Sequence, residues 1–349
     1  MNKLIVLCMV ITIWSCSENT NFDETYQPIP VNVEVPANFP DMTYNLDNNP
    51  VTEDGIALGK KLFYDGRLSV NNSIPCAFCH EQAFAFTHHG HTVSHGVDGN
   101  VGKRNAPPIQ NMAFQDKFMW DGASTHLDLQ PIIPITSDLE MGETLSNVIQ
   151  KLKAANEYQQ FFKRAFEDGN INSENMLKAL SQFMIVMISS NSKYDKYVRQ
   201  EDNTTLSTLE HDGLNTFTTK CTSCHATDLF TDNTYRNNGL PINPQLNDLG
   251  RFNILENPDD LYKFKVPSLR NIEVTYPYMH DGRFSTLEAV LNFYDHGMVD
   301  NGNVDPSLLR ADDSYGISLT EYEKTSIIAF LKTLTDYEFL NDERFAEYE

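Results

Sequence analysis

Two five-residue stretches, "CAFCH" at residues 76–80 and "CTSCH" at residues 221–225, decide the fold of this chain of 349 residues. Both have the spacing C-x-x-C-H, and positions i, i+3 and i+4 share one face of a helical turn. Two thiols can therefore form thioethers to the vinyl groups of a haem while the next imidazole reaches the iron. The pattern predicts two covalently bound c-type haems. Haem 1 would be held by Cys76, Cys79 and His80, and haem 2 by Cys221, Cys224 and His225.

A C-x-x-C pair can also carry out thiol redox chemistry or bind zinc. A thioredoxin-like redox motif requires a βαβ pattern around the pair, and the sequence has none around either copy. A zinc site with four cysteines usually has its two pairs close together, whereas 141 residues lie between Cys79 and Cys221. Haem attachment explains these motifs better than either alternative.

The composition is that of a globular protein, with 40% hydrophobic and 21% charged residues, and the length suggests two domains. The net charge of −22 argues against nucleic acid and anionic membrane surfaces as partners. A basic partner protein would be attracted at low salt, or the acidity serves solubility alone.

The N-terminus has the pattern of an export signal. Lys3 precedes an apolar run over residues 4–14, which is shorter than the roughly 20 residues of a membrane-spanning helix. The run ends in "IWSC", which resembles the lipobox of bacterial lipoproteins. We predict a signal peptide over residues 1–16 and a location in the bacterial periplasm, with lipid anchoring to a membrane through Cys16; a plain signal peptide cleaved nearby is the alternative. Residues 17–45 are polar and contain proline, which predicts a flexible tether.

The sequence around the two motifs also repeats. "EDGIALGKKLF" (53–63) and "HDGLNTF" (211–217) have the pattern of an amphipathic helix before each motif. Downstream, "APPIQNMAFQDKFMWDG" (106–122) aligns without gaps to "VPSLRNIEVTYPYMHDG" (266–282). We therefore expect a mainly α fold of two tandem cytochrome-c-like haem domains with long loops. Residues 46–203 would form the N-terminal domain and residues 204–349 the C-terminal domain.

Two further segments have the pattern of packed helices. "SENMLKALSQFMIVMISS" (173–190) would begin at a Ser173 cap and carries an apolar stripe rich in methionine. We interpret these methionines as core residues and not as iron ligands. "LTEYEKTSIIAFLKTLT" (319–335) would form a closing helix.

Together with the two C-x-x-C-H motifs, five stretches carry a family resemblance: "KRNAPP", "FMWDG", "PITSDLEMG", "KVPSLRN" and "TYPYMHDG". They resemble the bacterial dihaem cytochrome c peroxidases and their relative MauG over roughly residues 50–340. The resemblance implies a peroxidatic haem 1 and an electron-transfer haem 2, with a tryptophan and a calcium ion between them. It also implies that the substrate is hydrogen peroxide, that a small cytochrome c or copper protein donates electrons, and that a homodimer can form.

The resemblance assigns further residues by position. Trp120 matches the tryptophan between the haems, Gln130 and Glu140 match the glutamine and the acid of the distal pocket, and Pro134 matches a proline on the same side. For calcium it matches the Asn105 side chain and the backbone carbonyls of Thr275 and Pro277. Glu140 would move a proton between the two oxygen atoms of peroxide, which requires a raised pKa. From the residues alone, a solvated loop carboxylate is the favoured reading of Glu140.

The stretch "THHGHTVSHG" (87–96) holds four histidines. Members of the family that need reductive activation place a histidine from this loop on haem 1 at rest. His95 is the nearest candidate, but its distance from "RNAP" does not fit the family pattern cleanly. Otherwise these histidines are surface residues or an adventitious metal site, and haem 1 is five-coordinate without activation.

Tyr294 in "LNFYDHGM" (291–298) occupies the position at which the peroxidases have the methionine ligand of haem 2. MauG has tyrosine there. An anionic oxygen ligand would favour a haem 2 of low potential. The alternatives are a methionine ligand, Met279 or Met298, and an open position or another ligand.

Three functions follow. The leading one is a dihaem peroxidase that reduces hydrogen peroxide. The second is a MauG-like oxidase of a protein or organic substrate, although Thr219 stands where MauG has its surface tryptophan. The third is a non-enzymatic dihaem electron-transfer cytochrome without an open iron.

Overall fold

The computed structural model describes residues 26–348, so the predicted signal peptide, Cys16 and the first part of the predicted tether lie outside the described residues. The described chain is rich in helices and has little sheet. Its α-helices are α1 (Glu53–Phe63), α2 (Cys76–Cys79), α3 (Ile132–Thr136), α4 (Leu145–Ala154), α5 (Asn156–Ala165), α6 (Ser173–Ile185), α7 (Lys193–Val198), α8 (Thr208–Lys220), α9 (Phe252–Leu255), α10 (Leu287–Asn292), α11 (Glu321–Lys332) and α12 (Tyr337–Leu340). Two short strands, β1 (Tyr235–Arg236) and β2 (Phe264–Lys265), pair antiparallel.

The repeat is present in the structure as two crossed helix pairs. α1 packs on α6, and α8 packs on α11. Gly59 lies against the backbone carbonyl of Ala179, and Gly213 lies against the carbonyl of Ser326. A side chain at either glycine would overlap the opposing oxygen, so the close approach of the helices in each pair depends on glycine.

Side-chain caps begin the helices of both pairs. Thr52, Ser207 and Thr320 cap α1, α8 and α11, each accepting a backbone N–H of the first turn. The cap of α6 differs from the prediction, because Asn172 and not Ser173 accepts such an N–H.

Each helix pair encloses its own hydrophobic core. In the first core Phe63 of α1 packs edge-on against Phe183 of α6, with ring centroids 5.4 Å apart. In the second core Phe217 of α8 packs against Phe330 of α11, at 5.2 Å. The methionines of α6 are buried in the first core, in agreement with their interpretation as core residues.

Some residues of each half of the sequence pack in the core of the other half. Phe339, Leu340 and Phe345 follow the second helix pair in sequence but pack in the first core. Tyr194 of α7 precedes residue 204 but packs in the second core. The boundary predicted at residues 203 and 204 therefore divides the sequence but not the two cores.

The segment before α1 differs from the flexible tether that was predicted for residues 17–45. Val33 and Phe39 are buried in the first core. The backbone N–H groups of Thr43 and Tyr44 donate to the carbonyl of Ala113, at 3.0 and 3.1 Å. The apolar residues among the prolines of this segment therefore dock it onto the fold over residues 33–44.

The two halves meet through a reciprocal backbone contact. The N–H of Asn105 donates to the carbonyl of His280, and the N–H of Lys265 donates to the carbonyl of Trp120, both at 2.7 Å. In the alignment of the repeat, Asn105 corresponds to Lys265, and Trp120 corresponds to His280. Equivalent turns of the two halves thus bind each other.

Two features complete the fold. α10 continues into a π-helical turn, Phe293–Gly297, which carries Tyr294. Within residues 26–348, no helix combines the length and the apolar character that crossing a membrane requires.

Candidate functional site

The first C-x-x-C-H motif forms a single helical turn. α2 spans Cys76–Cys79, and the N–H of His80 donates to the carbonyl of Cys76 at 3.0 Å. The Nδ1 atom of His80 lies 2.7 Å from the carbonyl oxygen of Phe86. A hydrogen bond from Nδ1 orients the ring and leaves Nε2 available to a metal.

The second motif repeats this geometry. Cys221 ends α8, and the N–H of His225 donates to its carbonyl at 2.9 Å. The Nδ1 atom of His225 lies 3.0 Å from the carbonyl oxygen of Phe230. Both histidines of the predicted iron sites are thus held by a carbonyl five or six residues later.

All four cysteines of the described chain are free. Burial raises the pKa of Cys76 to about 12, of Cys79 to about 11 and of Cys221 to about 12. It also raises the pKa of Cys224. A redox-active C-x-x-C has a lowered thiol pKa, so this environment is not that of a thioredoxin-like pair.

A cavity of about 460 Å³ surrounds the first motif, within the range of cavities that hold small ligands. Phe63, Leu180 and Met184 form part of an apolar wall. The cavity brings together these residues predicted for haem 1 and its surroundings: Cys76, Cys79, His80, His95, Asn105, Trp120, Gln130, Pro134 and Glu140. Two thiols one turn apart, an oriented imidazole and an apolar wall fit a c-type haem.

Glu140 is a half-buried carboxylate of this cavity and not a solvated loop residue. Its backbone is fixed on both sides, since its N–H donates to Ser137 and its carbonyl accepts the N–H of Val97. Burial raises the pKa of Glu140, although hydrogen bonds from Ser137 and Ser94 oppose the effect. A raised pKa suits a carboxylate that exchanges protons with a bound ligand.

Gln130 follows a short 3-10 turn over residues 127–129. Its amide nitrogen lies 3.5 Å from the sulfur of Met119. The amide thus donates to Met119, and both residues line the cavity.

Trp120 lies between the two halves. Its indole N–H donates to the carbonyl of Asn105 at 2.9 Å, and its ring centroid is 6.5 Å from that of His280. His280 stacks on Phe264 at 3.7 Å, and burial lowers the pKa of His280 to about 4. Trp120 and His280 thus form an aromatic contact across the reciprocal interface.

The residues predicted for calcium lie close to this interface. The amide nitrogen of Asn105 donates to the carbonyl of His91 at 3.0 Å. Among the loop hydrogen bonds between backbone groups of residues 26–348, none is accepted by Thr275 or Pro277. The assignment of calcium to these residues stays a prediction.

The histidine loop folds into a cluster beside the first cavity. The ring centroid of His91 lies 4.2 Å from that of His88 and 4.5 Å from that of His95. Of these three histidines, His95 lines the cavity. Burial lowers the pKa of His88 to about 4. No set of three or more His, Cys, Asp or Glu residues suited to a metal ion is present in the described chain.

Tyr294 lies close to the second motif, and the thiols of Cys221 and Cys224 contribute to its electrostatic environment. Burial raises the pKa of Tyr294 to about 12, and a hydrogen bond from Asn238 partly opposes this. The same Asn238 nitrogen lies 3.8 Å from the sulfur of Met279. Met298 ends the π-helical turn and packs beside Gly239.

Sequence reasoning missed two residues of these sites. Arg104 lines the first cavity and forms ion pairs with Asp121 and Asp248. Its place beside Asn105 in "KRNAPP" is a signal that could have identified it. Asn238 has no comparable sequence signal, because it lies in a loop without a recognisable motif and is 56 residues from Tyr294 in sequence.

The chain is similar in sequence and in fold to dihaem peroxidases and MauG proteins. The model of the family described as di-haem cytochrome c peroxidase matches residues 53–203. The methylamine utilization protein MauG of Methylorubrum extorquens is 35% identical over 293 residues, covering 82% of this chain and 79% of that protein. The cytochrome c551 peroxidase of Nitrosomonas europaea is 31% identical, covering 82% of this chain and 81% of that protein. A crystal structure of a MauG-like protein associated with microbial copper homeostasis superposes with a TM-score of 0.80 at 32% identity, covering 91% of this chain and 99% of that chain.

Proposed function

Since this chain belongs to the family of bacterial dihaem cytochrome c peroxidases and MauG, we propose that it is a peroxidase. It reduces hydrogen peroxide to water with electrons from a small cytochrome c or copper protein. The observation that carries the proposal is the cavity of about 460 Å³, in which Glu140 and Gln130 share one space with His80. A cytochrome that only transfers electrons also needs a cavity for its haem, but it has no need of a carboxylate of raised pKa in the lining of that cavity.

The chain's own residues perform the proton chemistry. When bound, haem 1 would supply the site for peroxide and the two electrons that break its O–O bond, and two electrons from the donor with two protons would then restore the haem and release the second oxygen as water. Glu140 takes the proton from the near oxygen and returns it to the far oxygen, which leaves as water. Gln130 donates a hydrogen bond from its amide, and Pro134 helps to exclude solvent.

The second half supplies electrons to the first. His225 and Tyr294 would hold haem 2, and Trp120 with His280 lies on the route between the halves. We further propose that Asn105, Thr275 and Pro277 bind calcium and stiffen this route. From the predicted export signal we further propose that the reaction takes place in the periplasm, with a lipid anchor at Cys16.

Steady-state kinetics with the purified dihaem protein test this function. Peroxide-dependent oxidation of a reduced small cytochrome is the expected result. If that oxidation is absent and both irons are six-coordinate, by electron paramagnetic resonance of the ferric protein and by absorption spectra of the ferrous protein, the protein is an electron-transfer cytochrome.

A second candidate function is the oxidation of a protein or organic substrate, as in MauG. Tyr294 favours it, because an oxygen ligand stabilises high oxidation states of iron. Thr219, at the position of MauG's surface tryptophan, argues against the same protein substrate. Substrate oxidation by peroxide that proceeds without an added electron donor would distinguish this function from the first.

A further inference from the structure

Asn238 lies in a loop that several contacts hold in place. Asn237, which precedes it, is 1% exposed and donates from its amide to Asn301 and to the carbonyl of Gly302. The amide oxygen of Asn237 accepts the N–H of Gly239 at 2.9 Å. The loop therefore presents Asn238 from a fixed backbone.

Tyr294 is held by the second helix pair as well as by its link to that loop. Its carbonyl accepts the N–H of Ile317 at 2.7 Å. The next residue, Asp295, forms an ion pair with Lys324 of α11 at 2.9 Å. The π-helical turn is thus fixed to the second helix pair. The segment directly after it binds the Asn238 loop, since the N–H of Val299 donates to the carbonyl of Gly239 at 2.9 Å, and these contacts together set the distance between Asn238 and Tyr294.

The Asn238 amide donates to the phenol. Its nitrogen lies 3.3 Å from the Tyr294 oxygen and 3.8 Å from the Met279 sulfur. The first half has a related arrangement, since Gln130 donates to the sulfur of Met119, and Met119 corresponds to Met279 in the repeat. Each half therefore has a carboxamide side chain beside the equivalent methionine. Of the two carboxamides, Asn238 also donates to a phenol oxygen, that of Tyr294.

We propose that Asn238 is a positioning residue for haem 2, whose hydrogen bond to the Tyr294 oxygen sets the reduction potential of that haem. The inference rests on the proposed ligation of haem 2 by Tyr294. A hydrogen bond to an anionic ligand oxygen withdraws electron density from it and weakens its donation to ferric iron. Asn238 therefore holds the potential of haem 2 above the value that an unbonded tyrosinate would give.

The test is the Asn238→Leu substitution in the full-length dihaem protein, which keeps the size of the side chain and removes the donor. The readouts are the reduction potential of haem 2 by spectroelectrochemical titration and its low-spin electron paramagnetic resonance signal. We expect a lower potential and a shifted signal that remains low-spin. In a Tyr294→Phe background, the same substitution should leave the potential unchanged.

The outcomes separate the inference from its premise. If Tyr294→Phe changes haem 2 but Asn238→Leu changes neither its potential nor its signal, the role of Asn238 is wrong. A higher potential with a methionine-to-iron charge-transfer band in Asn238→Leu would also overturn it. If Tyr294→Phe leaves the spectrum and the potential of haem 2 unchanged, the tyrosine ligation itself is wrong.

Discussion

Glu140 shows how a loop carboxylate acquires the properties of an acid–base group. It lies in the cavity that contains His80, and its neighbours Ser94 and Ser137 bind it without supplying a full positive charge. Arg104 also lowers its pKa, but that guanidinium is bound to Asp121 and Asp248. Burial therefore dominates the pKa of Glu140.

We expect Glu140→Gln to lower kcat for peroxide by roughly 10²–10⁴-fold, because a positioned acid–base group contributes that much. Both haems should remain bound, since Glu140 contributes no attachment atom. Steady-state kinetics and a haem assay check the two parts. Asp138→Asn, an exposed carboxylate two residues away, is the control. A Glu140→Gln variant with the turnover of the Asp138→Asn control would remove Glu140 from the mechanism.

The pH dependence of turnover should report the same carboxyl group. A general base must be ionised, so kcat/KM rises with pH through the raised pKa of Glu140 and levels off above it. The rise should lie at higher pH than the value of about 4.3 for an ordinary glutamate. It should disappear in Glu140→Gln, and its persistence there would assign the titration to another group.

The sequence predicted the residues of the first cavity because they lie in short motifs. It could not predict the surroundings of Glu140, because Ser94 and Arg104 approach it from segments about 40 residues earlier. Asn238 was not predictable for the same reason, since its contact with Tyr294 exists only in the folded chain.

The two helix pairs show what sequence patterns predict well. α1 has the bounds expected for residues 53–63, since its apolar face, its acidic first turn and its basic last turn agree. The π-helical turn at residues 293–297 was not predicted, because one extra residue per turn leaves no signature in a six-residue helix.

Gly213→Ala should destabilise the second helix pair. The added methyl group would overlap the carbonyl of Ser326, and overpacking of this kind costs about 1–3 kcal/mol. Chemical denaturation should show the lower free energy of unfolding. Thr218→Ala, on the exposed face of the same helix, is the control and should change it little. A Gly213→Ala protein as stable as this control would show that α8 and α11 can move apart without cost.

Arg270 and Asp195 join distant parts of the molecule. Both side chains are fully buried, and they form a bidentate ion pair at 2.8 and 2.9 Å. Asp195 also accepts a hydrogen bond from Asn38, and Arg270 lies over the ring of Phe39. This buried ion pair therefore joins three parts of the chain: the segment before α1, α7, and the loop that follows β2.

Asp195→Ala should lower the free energy of unfolding by about 3–5 kcal/mol, because it leaves a buried guanidinium unpaired. Burial opposes the charged form of Asp195, but Arg270 outweighs it and lowers the pKa of Asp195. The stabilisation is therefore complete above the unfolded pKa of about 3.9 and is lost as the pH falls through the folded value. Denaturation at several pH values measures this. Glu201→Ala, which removes an exposed partner of Arg199, should have little effect, and equal losses in both variants would contradict the argument.

Deletion of residues 26–45 should destabilise the folded chain, because it removes Val33 and Phe39 from the first core. Thermal unfolding should show a lower Tm, and limited proteolysis should become faster. Deletion of residues 17–25 is the matched control. An unchanged Tm after the longer deletion would restore the interpretation of a tether. Composition suggested that tether, because the apolar residues that dock this segment are few and lie between prolines.

The reciprocal hydrogen bonds from Asn105 to His280 and from Lys265 to Trp120 have the form of an isologous interface, in which one patch meets its own copy. Two separate chains would make such a contact as a dimer that dissociates on dilution. Here the covalent link keeps the partner at a high effective concentration, so the contact is independent of protein concentration. Because both turns belong to one chain, their sequences can differ. They differ at the centre of the interface, where Trp120 of the first turn contacts His280 of the second. The centre of the interface can therefore differ between the two halves, which a dimer of identical chains would not allow.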